Sequence, residues 1–264
     1  MILASPSPLG VALGIATAAA YGVTAAAAAR TGRSATQALM GLSWVLHALA
    51  LAWGLVGLKL FGFAPALSVT AWLVMTVYAI EHRLYPQLHV RRVLAVLGAG
   101  AALLAAQFQG TPLHVGSSPW LPLHVALALA SYGLFGAAVV HAWLMTRTEK
   151  QMRVVTDTPT GLPLLTLERL TFRFITAGFV LLSATLLAGM LFTETLYGRA
   201  WRWDHKVVFS ILAWLCFAVL LIGRARFGWR GRKARRVLYS GAAMLLLAYV
   251  GSRFVLEVVL GRAA

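Results

Sequence analysis

The stretch Val207-Val-Phe-Ser-Ile-Leu-Ala-Trp-Leu-Cys-Phe-Ala-Val-Leu-Leu-Ile-Gly223 carries no charge and is bracketed by Lys206 and Arg224. A bilayer selects segments of this kind. Its hydrocarbon layer is ~30 Å thick and a helix rises ~1.5 Å per residue, so a span needs about 20 mostly apolar residues. Working outward, the pattern recurs, giving eight spans at 8–29, 38–58, 62–80, 92–109, 120–145, 172–194, 206–223 and 236–259. Composition agrees: the 264 residues are 60% hydrophobic and 11% charged, with mean hydropathy +0.80, whereas soluble domains are near half apolar and a quarter charged. The chain reads as an all-α polytopic membrane protein of about eight transmembrane helices, forming one domain over 1–264. Its first apolar stretch lacks a preceding positive charge and outruns a signal peptide's h-region, so it reads as a retained helix.

The formal charge of +16 does not imply nucleic acid, which needs the cations on one water-exposed face. Here they lie in short runs between spans, where they fix orientation. With both termini on the outer, periplasmic side, 17 of the 23 basic residues fall on the inner side, the densest run being Arg224 to Arg236. Connections 110–119 and 195–205 then face the periplasm across a bacterial inner membrane, and 146–171 is the longest inner connection. The single cysteine, Cys216, sits in an apolar run, which excludes an intramolecular disulfide. No Cys-x-x-Cys-His run is present, so the chain does not carry a covalently attached c-type heme.

Ionisable groups at membrane depth are costly and face a bundle interior or a cavity. His82, His89 and His141 are expected to be solvated interfacial residues. His47 is close to mid-membrane, and His124 lies one to two turns below the outer boundary. Each is either a hydrogen-bonded packing residue or a ligand, and neutral imidazole suits iron. The outer loop Glu194-Thr-Leu-Tyr-Gly-Arg-Ala-Trp-Arg-Trp-Asp-His-Lys206 joins the indoles of Trp201 and Trp203 to Asp204, Arg199 and Arg202. Flat aromatic faces beside fixed cations suit a planar amphipathic ligand with carboxylates, such as a porphyrin, although other planar anions fit the same chemistry.

Tyr197-Gly198-Arg199-Ala200-Trp201-Arg202-Trp203-Asp204 resembles the W-G-x-x-W-x-W-D signature of the cytochrome c assembly superfamily of membrane heme-handling proteins. Thr166–Arg173 followed by Gly178-Phe179 resembles the segment leading into that signature. Ser118-Pro-Trp-Leu-Pro-Leu-His124, with Ser131-Tyr132, is similar to the family's S-H-W-x-x-x-H…S-Y helix. The resemblance spans roughly 40–260. It implies a heme cofactor, an aromatic platform of Trp201, Trp203 and Asp204 with Tyr197, Arg199 and Trp120 beside it, and His47 and His124 as iron ligands. Pro119 stands where the family has an external histidine, and no histidine follows His205. His114 and His205 are the remaining candidates for the external ligands. The pattern is similar to the smaller HemX-like and YpjD-like inner-membrane branch. It implies heme handling beside other cytochrome c biogenesis proteins, without full synthetase activity and with no catalytic residues. Two other classes stay open: a small-solute or anion permease gated by Glu81, Arg253 and Glu257, and a structural subunit docking through loop 195–205.

Overall fold

Each apolar stretch forms a helix. A computed structural model describes residues 7–27, 32–85, 90–112, 118, 120–154, 163–197 and 203–261. The helices are α1 (Pro8–Ala27), α2 (Arg33–Ala52, closed by a π-turn over Trp53–Gly57), α3 (Phe63–Leu84), α4 (Arg91–Gln107), α5 (Leu121–Val154), α6 (Leu164–Leu191), the short α7 (Thr193–Tyr197), α8 (His205–Phe227) and α9 (Gly231–Leu246). Helix α9 continues through π-turns at Leu247–Gly251 and Val255–Val259. Two two-residue strands, β1 (Leu60–Phe61) and β2 (Thr111–Pro112), pair antiparallel.

Among the described residues seven helices are long and apolar enough to cross a membrane. The exception to the eight expected spans is α4, whose 17 residues rise only ~25 Å against a hydrocarbon layer of ~30 Å. The expected long connection at 146–171 is corrected. Helix α5 continues to Val154 and α6 already begins at Leu164, so Arg147, Lys150, Arg169 and Arg173 lie on helices. Hydropathy marks where hydrocarbon ends, whereas a helix persists until its backbone hydrogen bonds are capped, and charged residues let it project into headgroups and water.

The chain forms two compact units, residues 1–76 with 89–114 and 250–264, and residues 77–88 with 115–249. In unit 1, α1 packs on α2 and α4. Small residues set the approach: a Cβ added at Gly14 would sit 2.6 Å from the Ala106 Cβ. Without a hydrophobic driving force inside lipid, such close contact and interhelical hydrogen bonds hold helices together.

Unit 2 is an up-and-down bundle of α5, α6, α8 and α9, and its contacts fix the register. Along α6, Thr171 meets Met145, Gly178 meets Phe135 and Gly189 meets His124, so α5 and α6 run antiparallel. Glu168 pairs with Arg224 and Ser183 accepts from Trp214, which sets α8 antiparallel to α6. Arg235 pairs with Glu149 and Tyr132 donates to the Leu245 carbonyl at 2.6 Å, placing α9 antiparallel to α5. The Phe135 and Phe217 rings stack at 3.7 Å in the centre, with Gly178 and Gly241 against them.

Candidate functional site: an aromatic bundle end and three membrane histidines

The antiparallel register brings the start of α5, the end of α6 and the start of α8 to one end of unit 2. Trp120 and Trp203 are there, 63% and 73% exposed, an unusual disposition for the largest apolar side chains unless lipid or a ligand covers them. Asp204 N-caps α8, its carboxylate accepting from the Val207 amide at 3.0 Å. Such caps fix where a helix starts, so the position of Trp203 is set by its neighbour. His205 is exposed on the first turn of α8. His124 is one turn below Trp120, its amide bonded to the Trp120 carbonyl at 3.0 Å. Its half-buried ring packs against α6, with Cε1 3.5 Å from where a Gly189 Cβ would lie.

Of the other residues expected here, Arg199, Trp201 and His114 lie outside the described residues, and of Tyr197 only its place at the end of α7 is described. The described residues therefore place Trp120, His124, Trp203, Asp204 and His205 at the same end of unit 2. Their chemistry fits a porphyrin: exposed indole faces for stacking and imidazole nitrogen for iron.

His47, in unit 1, is 1% exposed. Its Nε2 is 2.7 Å from the Ser68 hydroxyl and its Nδ1 is 3.3 Å from the Tyr21 hydroxyl. Both ring nitrogens are thus occupied. His47 also lines a hollow of about 50 Å³ with Ser68, Gly14 and Gln109, room for a few waters at roughly 10–15 Å³ each. A porphyrin does not fit this hollow as it stands. Iron ligation by His47 requires Ser68 to release Nε2 and the helices to separate, with Tyr21 then orienting the ring through Nδ1, as second-shell partners of ligating histidines do.

The third histidine corrects an expectation. His141 is not solvated: it is 2% exposed, and its Nε2 lies 3.1 Å from Glu81 Oε2, itself buried. Nδ1 is 2.8 Å from the Ala137 carbonyl, which can only accept, so Nδ1 carries a proton. The Nε2–Oε2 separation is an ion-pair distance, and Nε2 makes no hydrogen bond of good geometry. The signal in the sequence was two ionisable groups inside apolar stretches, with nothing local to show that they meet. His141 is 17 positions along α5 from His124, or ~25 Å at a helical rise of ~1.5 Å per residue, so the two cannot share one iron. In unit 1, Arg253 and Glu257 pair at 3.7 Å across one helical turn. Among the described residues no group of three or more His, Cys, Asp or Glu could hold a bare metal ion.

Bundle, apolar helices and buried polar pairs together define a multi-pass membrane protein. Residues 33–260 match the family of cytochrome c assembly proteins. The chain is 30% identical over 207 residues to the inner membrane protein YpjD of Escherichia coli, covering 76% of each chain. It is 27% identical over 217 residues to the cytochrome c biogenesis protein CcsA of Parasynechococcus marenigrum, covering 70% of this chain and 71% of the relative. It is 25% identical over 269 residues to CcsA of a Synechococcus species, covering 85% and 84%. The chain belongs to the cytochrome c assembly protein family, in its YpjD-like branch.

Proposed function

We propose that the protein binds heme at the aromatic end of unit 2 and serves cytochrome c biogenesis as a heme-handling factor without full synthetase activity. The observation that carries this reading is the pair of exposed indoles, Trp120 and Trp203, at the bundle end where His124 sits one turn deeper. Family membership adds a second support, since the CcsA relatives are named for cytochrome c biogenesis. His124 would supply imidazole to iron, Trp203 and Trp120 would flank the porphyrin, and Trp201 and Arg199 would complete the platform. Heme, when bound, supplies the coordination and redox chemistry, and the chain contributes binding and orientation. Ligation by His47, in unit 1, requires that its Ser68 hydrogen bond yield. His114 and His205 are alternatives nearer the surface.

With this reading goes a topology of eight crossings, α4 included, and both termini in the periplasm. The Lys and Arg distribution supports it, and it puts the aromatic end in the compartment where cytochromes c are assembled. Heme co-purifying per chain from membranes is the test. The reading expects heme in the wild type and severalfold less in Trp203→Ala and in Trp120→Ala. Heme-free wild-type protein from heme-replete cells overturns it.

A further inference from the structure

The opposite end of unit 2 holds a second feature, unrelated to heme. An open cleft of about 700 Å³ lies between the first half of α6 and the α8–α9 turn, lined by Glu168, Arg169, Phe172, Arg173, Arg224 and Arg230. Four guanidiniums face one carboxylate. Glu168 is 11% exposed and its Oε1 holds Arg224 at 2.5 Å and Arg230 at 3.4 Å. Arg224 also lies over the Phe172 ring at 4.7 Å. Arg224 is thereby held at the back of the cleft, with the exposed Arg230 at its rim. Arg169 and Arg173, one helical turn apart, are exposed, and among the described residues neither has an ion-pair partner. Like charges assembled at this density call for a bound anion.

Guanidinium groups match phosphate oxygens as planar two-pronged donors, which Lys cannot do. The stripe continuing along α6 indicates which phosphate. Arg173, Val180 and Leu187 recur every seven residues on one face, and Val180 and Leu187 are 60% and 57% exposed. From Arg173 to Val180 that face runs ~10 Å at the helical rise, within the ~15 Å depth of one leaflet's hydrocarbon. A soluble anion has no use for such a stripe, whereas acyl chains do. Helix α6 has 28 residues, ~42 Å at the helical rise, so its basic end projects beyond the hydrocarbon to headgroup level. Basic pockets between helices at this depth bind anionic headgroups.

We propose that this cleft binds the phosphodiester headgroup of an anionic phospholipid, clamped by Arg169 and Arg173, with its acyl chains along Val180. The test uses the full chain in zwitterionic lipid nanodiscs, titrated with phosphatidylglycerol and read by native mass spectrometry. Arg169→Gln/Arg173→Gln is expected to weaken binding about 30-fold, from ~1 kcal/mol per arginine at a membrane surface and 1.4 kcal/mol per decade. Arg169→Gln alone is expected to weaken it about fivefold on the same basis, which keeps the test valid should the pair fail to fold. Arg83→Gln/Arg92→Gln, with the same change in net charge on exposed arginines elsewhere, should bind as the wild type does. Inorganic phosphate at equal concentration should not displace the lipid. Unchanged affinity in the cleft variants, or equal loss in the Arg83/Arg92 control, overturns the proposal. Displacement by inorganic phosphate overturns it in favour of a soluble anion, and displacement by hemin in favour of porphyrin carboxylates.

Discussion

Replacing His141 by Leu should damage the protein far more than replacing Glu81 by Gln, although the two side chains share one contact. Side-chain exposures of 3% and 7% remove solvent screening from the comparison. His141→Leu keeps the site apolar and roughly filled but strands the Glu81 carboxyl in the bundle. Losing one partner of a buried ion pair costs about 3–5 kcal/mol. Glu81→Gln leaves a neutral amide beside a neutral imidazole whose Nδ1–H still donates to the Ala137 carbonyl. Only about 1 kcal/mol, the net worth of one ordinary hydrogen bond, is then lost. In the double variant the stranded charge is gone, so its loss should be smaller than that of His141→Leu alone, with a coupling of roughly 0.5–3 kcal/mol. Unfolding from lipid–detergent micelles by increasing SDS, followed by tryptophan fluorescence, reads all three. If Glu81→Gln costs as much as His141→Leu, or if the two losses simply add, the ion-pair reading of this contact is wrong.

Other perturbations probe different parts of the fold. Gly14→Leu should drive α1 from α4 and cost about 1–3 kcal/mol through overpacking, measured as the same SDS midpoint. Gly22→Ala, whose Cβ meets nothing within 4 Å, should stay within about 0.5 kcal/mol. Asp204→Ala should remove the α8 cap at about 1 kcal/mol, and Asp204→Asn should retain it. Lower heme content in a stably folded Asp204→Asn would then assign the carboxylate itself to the ligand. Tyr132→Phe should cost about 1 kcal/mol and loosen the π-turn after Leu246, readable as faster amide hydrogen exchange across Leu247–Gly251.

The transmembrane core was legible because each apolar run has one physical destination. The span placed at 206–223 lies within helix His205–Phe227, and that at 62–80 lies within Phe63–Leu84 but for its first residue. Helix ends were not legible: nothing in the hydropathy of 146–171 distinguishes loop from solvated helix, and α5 and α6 continue into it. The candidate site divides in the same way. Trp203 and Asp204 stand out in the sequence by their local combination, and Trp120 by its place before His124. What long-range packing decides stayed hidden. Tyr21, His47 and Ser68 come from three helices, and Glu81 meets His141 from 60 positions away. The role of His141 could not be read from its own neighbours, which suited an interfacial residue. The Arg169–Arg173 cleft is likewise hidden, because in sequence its cations are indistinguishable from those that set topology.

Heme ligation is the central claim, and absorption spectroscopy of the purified protein, oxidised and dithionite-reduced, tests it most directly. The account predicts a Soret band in the wild type that is lost or shifted in His124→Ala, with a smaller change in His47→Ala because that ring is already held by Tyr21 and Ser68. Absence of a Soret band, or a spectrum indifferent to His124→Ala, would contradict it.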